Sequence, residues 1–161
     1  VYVDTTFCVP EALYIPPRGD CKQIVVDTIT DWFKRNRSCS KLMIHIFSRS
    51  FYGYEFLMMA LAKHFNCKIH VTAAQYHRYR FVPDIVNILT RNAQSTTTHF
   101  CQQDSKFGRF DRTLLPCGKE LNFLPNVLQI IPSVMYFTKR KHKTCNQKIL
   151  KSKIKHVIKK K

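Results

Sequence analysis

The sequence predicts an α/β fold built on a parallel sheet, and three observations carry that expectation. Stretches of strand character alternate with segments of helical spacing in the order strand, helix, strand, helix, strand. One strand, "KLMIHIFS" (41–48), is almost continuously apolar, as a strand covered on both faces should be. The length of 161 residues suits a single domain, because a chain near this size buries roughly two-thirds of its extended surface on folding.

Each element has its own local reason. "VYVDTTF" reads as a strand running into a polar turn, with Asp4 where the apolar run stops; the Pro-rich "VPEALYIPPRGD" is a loop. Asp20, with Gln23 three residues on, makes an N-cap for an amphipathic helix of about four turns. Its Val25, Ile29, Trp32 and Phe33 share one face. After the 41–48 strand, Tyr54, Leu57, Met58, Leu61 and Phe65 keep helical spacing again. "CKIHVT" (67–72) is a further strand, and "VPDIVNIL" (82–89) a short helix with Pro83 tolerated in its first turn. "STTTHFC" (95–101) is β-branched and alternating, hence a strand. "NVLQIIPSVMYF" (126–137) gives one or two strands interrupted by Pro132.

Composition narrows the function classes. A hydrophobic content of 45% excludes a disordered chain, and no apolar run approaches the roughly 18 residues that a membrane helix needs. The opening residues show no charged, apolar and cleavage regions of a secretory signal. Seven scattered cysteines fit reduced thiols in a nuclear or cytosolic setting better than a disulfide framework. The formal charge of +17 is uneven: 11 of the 27 Lys and Arg lie between Lys139 and Lys161, with no acid among them. A moderately basic body therefore carries a like-charge tail suited to an anionic partner.

Nucleotide-loop chemistry is missing, since the glycines at 19, 53, 108 and 118 are too far apart for GxGxxG or a Walker loop. No HxHxDH or HExxH motif occurs. One metal pattern does stand out. Residues two apart on a strand share a face, so His99 and Cys101 can address one atom above the sheet, and Cys117 can return to it from the loop. Imidazole and thiolate are the usual company of zinc in structural sites. For a fourth ligand the spacing leaves His70, His77 and Cys67 open. Asp4, on the residues alone, reads as a cap for the turn through Thr5 and Thr6.

"VYVDTTFC", "YGYEFL", "THFC" and "LPCG", in this order and separation, resemble the β-CASP region of DNA-repair nucleases of the metallo-β-lactamase superfamily. The resemblance runs from Val1 to about Phe137. It implies a Rossmann-like β-CASP domain with helices on both faces of a parallel sheet, truncated from such a nuclease. It divides the chain into the end of a metallo-β-lactamase strand (1–8), the β-CASP domain with a zinc-finger-like site (9–137) and a basic Lys/Ile-rich tail (138–161) that is expected to be disordered.

It further implies that Asp4 is the acidic active-site residue opening the β-CASP region. His70, His99, Cys101 and Cys117 are implied as the ligands of a structural zinc. The family's catalytic metal ions are held by an HxHxDH motif, which this sequence lacks, so the chain is expected not to cut DNA unaided. The activity implied for the whole parent is endo- or exonucleolytic DNA cleavage in the nucleus during double-strand-break end processing, hairpin opening or cross-link repair. DNA with single-stranded, hairpin or damaged ends and the proteins of non-homologous end joining are the implied partners, with no membrane. The basic and planar residues Arg49, Arg78, Arg80, Lys106, Arg109, Tyr52, Tyr76 and Phe107 are candidates to guide a strand. The alternatives are a non-catalytic, zinc-stabilised nucleic-acid-binding module and an inert truncated fragment.

Overall fold

A computed structural model describes residues 16–39, 42–48, 50, 52–102, 115–118 and 126–132. The first helix, α1 (Arg18–Arg35), begins directly after Pro17, so Asp20 falls in the first turn instead of capping it. There its carboxylate still complements the helix dipole, as Lys34 and Arg35 do in the last turn. The spacing finds the buried face at Ile29 and Trp32, but Val26 and Thr28 are also buried, and Val25 and Phe33 flank the core.

Strand β1 (Leu42–Ile46) is buried at Met43, Ile44, His45 and Ile46, as its unbroken apolar run requires. Helix α2 (Glu55–Phe65) buries Leu57, Met58, Leu61 and Ala62 and ends at Asn66, whose φ of 46° makes a left-handed cap. Strand β2 (Ile69–His70) leads into α3 (Ala73–Arg78), a helix the spacing does not reveal, opened by a capping box between Thr72 and Gln75. Helix α4 (Pro83–Val86) starts on its proline and gives way to β3 (Leu89–Thr90), so the expected 82–89 helix is shorter and its end is a strand. Strands β4 (Thr98–His99) and β5 (Asn126–Ile130) complete the described elements, and Pro132 lies just beyond the last.

Among the described residues, these strands form one parallel sheet in the order β3-β2-β4-β1-β5. The α/β, parallel-sheet architecture expected from the alternation is therefore present. Alternation along each strand separates two environments. Ile44, Ile46, Leu128, Ile130, Ile69, Val71 and Phe100 join the main core with Val26, Ile29 and Trp32 of α1 and Leu57, Met58 and Leu61 of α2. Met43, Cys101 and Leu115, with Val127 and Cys117 against them, form a second and smaller cluster on the other side. No helix among the described residues is long and apolar enough to cross a membrane.

Candidate metal centre

The smaller face is polar where the larger one is greasy. Pairing register places Thr90, His70, His99, His45 and Gln129 in one row across five neighbouring strands. Three successive histidines therefore project from adjacent strands toward the same side. His45, His70 and His99 are each at most 3% exposed.

"THFC" supplies two members of the cluster through the pleat. His99 and Cys101 lie on the smaller face, whereas Phe100 between them packs into the main core against Tyr54, with ring centroids 5.9 Å apart. "LPCG" supplies another. The Gly118 N–H donates to the Leu115 carbonyl at 2.8 Å, closing a turn that carries Cys117 at its third position. Gly118 has a φ of 77°, a conformation that favours glycine, and Leu115 anchors the turn beside Met43 and Cys101. His70 arrives from β2, whose backbone carbonyl at that residue accepts from the Phe100 N–H at 2.8 Å.

The four side chains converge. One ligand atom from each of His70, His99, Cys101 and Cys117 lies within 4.8 Å of every other. Zinc with bonds of about 2.3 Å to sulfur and 2.0–2.1 Å to nitrogen holds tetrahedral ligand atoms about 3.3–3.8 Å apart, so a small contraction suffices. The Cys117 Sγ already lies 3.7 Å from the His99 Nδ1. His70 Nδ1 and His99 Nε2 are buried without a hydrogen-bond partner, an expensive state for polar nitrogen. A His2Cys2 donor set with orphaned imidazole nitrogens fits a cation such as zinc.

Electrostatics agree with that chemistry. A hydrogen bond with Cys117, followed by burial, pushes the Cys101 thiol well above the usual thiol range. Without a cation, two adjacent thiolates in this dry pocket repel each other; a bound cation reverses the preference and favours both anions. Burial pushes the His45 imidazole down to about 4, more than its contact with the Cys101 carbonyl raises it, so His45 is neutral at pH 7.

Of the residues left open by spacing, only His70 enters the cluster. Cys67 points toward the main core, with its Sγ 3.7 Å from Thr98 Oγ1, and burial raises its thiol. His77 sits on α3, where its ring meets the Arg80 guanidinium. Sequence reasoning left His45 as an apolar-strand residue and missed that it borders the cluster; only register between distant strands reveals it. Asp4, Arg49, Lys106, Phe107, Arg109 and the 138–161 tail lie outside the described residues. Tyr52 is 60% exposed and meets Tyr79 edge-on at 6.2 Å, Arg80 stacks on Phe81 at 4.4 Å, and Arg91 lies over Tyr76 at 5.5 Å.

"YGYEFL" also has a structural account. Gly53 takes a φ of 95°, and its N–H donates to Glu55 Oε2 at 2.8 Å while the Tyr79 hydroxyl donates to Glu55 Oε1 at 2.8 Å. This ties the start of α2 to the end of α3.

A parallel α/β sheet bearing a buried His2Cys2 cluster on one face defines the class of the chain: a Rossmann-like α/β domain with a candidate structural metal centre. Its relatives are more particular. Over 146 residues, 89% of its length, the chain is 31% identical to Protein artemis of Rattus norvegicus and 32% identical to that of Homo sapiens. Over 148 residues it is 32% identical to Protein artemis of Danio rerio. The chain is thus an Artemis-like region and spans about a fifth of the length of these curated relatives, 20%, 20% and 22% respectively. No family model matches it.

Proposed function

We propose that the chain is the β-CASP portion of a metal-dependent DNA nuclease that acts in the nucleus on single-stranded, hairpin or damaged DNA ends during double-strand-break or cross-link repair. The observation that carries this reading is the convergence of His70, His99, Cys101 and Cys117 in an Artemis-like region. In the proposal the cluster holds a structural zinc that ties β2 and β4 to the Cys117 turn. Asp4 is the acidic active-site residue, beside catalytic metals held by an HxHxDH-bearing part of the whole protein. Those metals, when bound, polarise the phosphoryl oxygen and supply hydroxide.

The chain's own part is to position DNA. Exposed Arg80 and Tyr52, together with the other basic and planar candidates, offer phosphate contacts and stacking surfaces to a strand. Proteins of non-homologous end joining are the proposed partners.

Zinc per chain, measured by elemental analysis on untagged protein under reducing conditions, should be near one; a value near zero sinks the metal assignment. Because the 161 residues contain no HxHxDH motif, the chain should bind hairpin and single-stranded DNA in a salt-dependent way without cutting it. Magnesium-dependent cleavage that copurifies with the chain would overturn that division of labour, and failure to bind either DNA would remove the positioning role.

A further inference from the structure

We propose that His45 is a positioning residue for the metal centre, holding the Cys101 peptide so that the Cys101 sulfur faces the other three ligands. The inference rests on the metal reading above. Strand β4 ends at His99, so Cys101 lies beyond the strand's pairing, and side chains must hold the backbone that carries it. Two of them do. Gln75 Nε2 donates to the Phe100 carbonyl at 3.0 Å, and Gln75 Oε1 accepts from the Gln102 N–H at 3.0 Å. The second of these peptides, Cys101–Gln102, is held from its carbonyl side by His45, whose Nε2 lies 3.4 Å from the Cys101 carbonyl oxygen.

The second nitrogen of the ring makes the assignment self-consistent. His45 Nδ1 lies 3.3 Å from Gln129 Nε2. A carbonyl can only accept and an amide nitrogen can only donate. Gln129 therefore donates to Nδ1, leaving the single proton of a neutral imidazole on Nε2, aimed at Cys101. The row Gln129–His45–Cys101 is a relay of hydrogen bonds from β5 through β1 to a ligand on the adjoining chain segment. Partners behind a metal ligand that set its orientation change metal affinity by roughly 10–100-fold when removed.

The test combines variants with a measurement on the unmutated chain. His45→Phe keeps a ring of similar size and loses both nitrogens. It should still take up zinc at saturation, but with affinity about 10–100-fold weaker by competition with a chromophoric chelator. With cobalt(II) in place of zinc, its thiolate charge-transfer band should shift. His45→Gln, which retains an amide donor, should recover part of the affinity and move the cobalt spectrum back toward that of the unmutated chain. A merely space-filling role predicts the opposite order, with His45→Phe the better tolerated.

Should His45→Phe fail to fold, 15N NMR of histidine-labelled, zinc-loaded unmutated chain still decides: His45 must be the Nε2–H tautomer, and an Nδ1–H tautomer overturns the proposal. Unchanged affinity and cobalt spectrum in His45→Phe also overturn it while leaving the metal centre standing. An unmutated chain that binds no zinc overturns the metal centre itself and this inference with it.

Discussion

His70 and His99 sit opposite one another on adjacent parallel strands, their ring centroids 4.8 Å apart and their planes inclined by 50°. Neither ring is satisfied by that contact, since each keeps a buried nitrogen without a partner. In the proposed centre a cation shared with Cys101 and Cys117 takes one nitrogen from each ring, so His70 is expected to matter as much as His99.

His70→Ala should accordingly abolish stoichiometric zinc, while His77→Ala should leave it at one per chain, because His77 is exposed on α3 and engaged with Arg80. Elemental analysis of the two variants, purified side by side, checks the pair. Equal zinc in both would remove His70 from the ligand set.

Cys101→Ser should lose the metal and its share of stability, whereas Cys39→Ser, at a position outside the cluster, should not. At free zinc one hundred times its dissociation constant, binding adds about 2.7 kcal/mol to folding. For a chain of this size that corresponds to a Tm lower by roughly 5–10 °C. Thermal melts in zinc and in chelator provide the check: chelator should lower the unmutated chain toward Cys101→Ser and hardly move the variant.

The sequence made the fold legible where signals are local. Apolar runs and helical spacing found β1, α2 and the core side of α1 at Ile29 and Trp32, because burial of one face imposes its period directly on the chain. Short elements escaped. Leu89 closes the 82–89 run expected as helix, yet with Thr90 it forms β3, and the Thr72–Gln75 capping box opens α3 where no helical spacing marks it. The choice among His70, His77 and Cys67 was illegible from spacing for a different reason. It depends on β4 lying between β2 and β1, a long-range pairing that no local pattern encodes; resemblance singled out His70. His45 stayed hidden for the same cause.

Gln75→Ala should cost more than Thr72→Ala. Thr72→Ala removes a helix cap, worth about 0.5–2 kcal/mol. Gln75→Ala also leaves the Phe100 carbonyl and the Gln102 N–H without a partner in a buried setting, at about 1–3 kcal/mol for each group. Urea denaturation of both variants measures the difference, and equal midpoints would show that the Gln75 bonds to 100–102 are replaceable.

Tyr79→Phe should destabilise by about 1–2 kcal/mol, since it deletes a part-buried hydrogen bond to the Glu55 carboxylate and little volume. The partners already push the phenol up: burial first, then the Glu55 bond and charge. Tyr79 should therefore ionise above the usual phenol range in a spectrophotometric titration, and Glu55→Gln should bring its ionisation to lower pH.

Deleting Lys139–Lys161 should flatten the dependence of log DNA affinity on log salt by several units, because 11 Lys and Arg and no acid lie there. Binding isotherms across a salt series measure the slope. An unchanged slope would mean that the tail is a bystander.

The sheet order has a temporal meaning as well. Strand β1 is central, yet its two neighbours, β4 and β5, arrive much later in the chain, and the His45–Gln129 contact spans 84 residues. As the chain emerges during synthesis, β1 waits with both edges bare, and β2 cannot close against it because β4 must enter between them. Such non-local pairing slows folding. The thiols of the cluster are gathered only once β4 is seated and the 115–118 turn docks, so a nascent chain carries an open β1 and ungathered cysteines until late. The apolar edges of β1 are thus exposed for longer than they would be in a sheet built from consecutive strands.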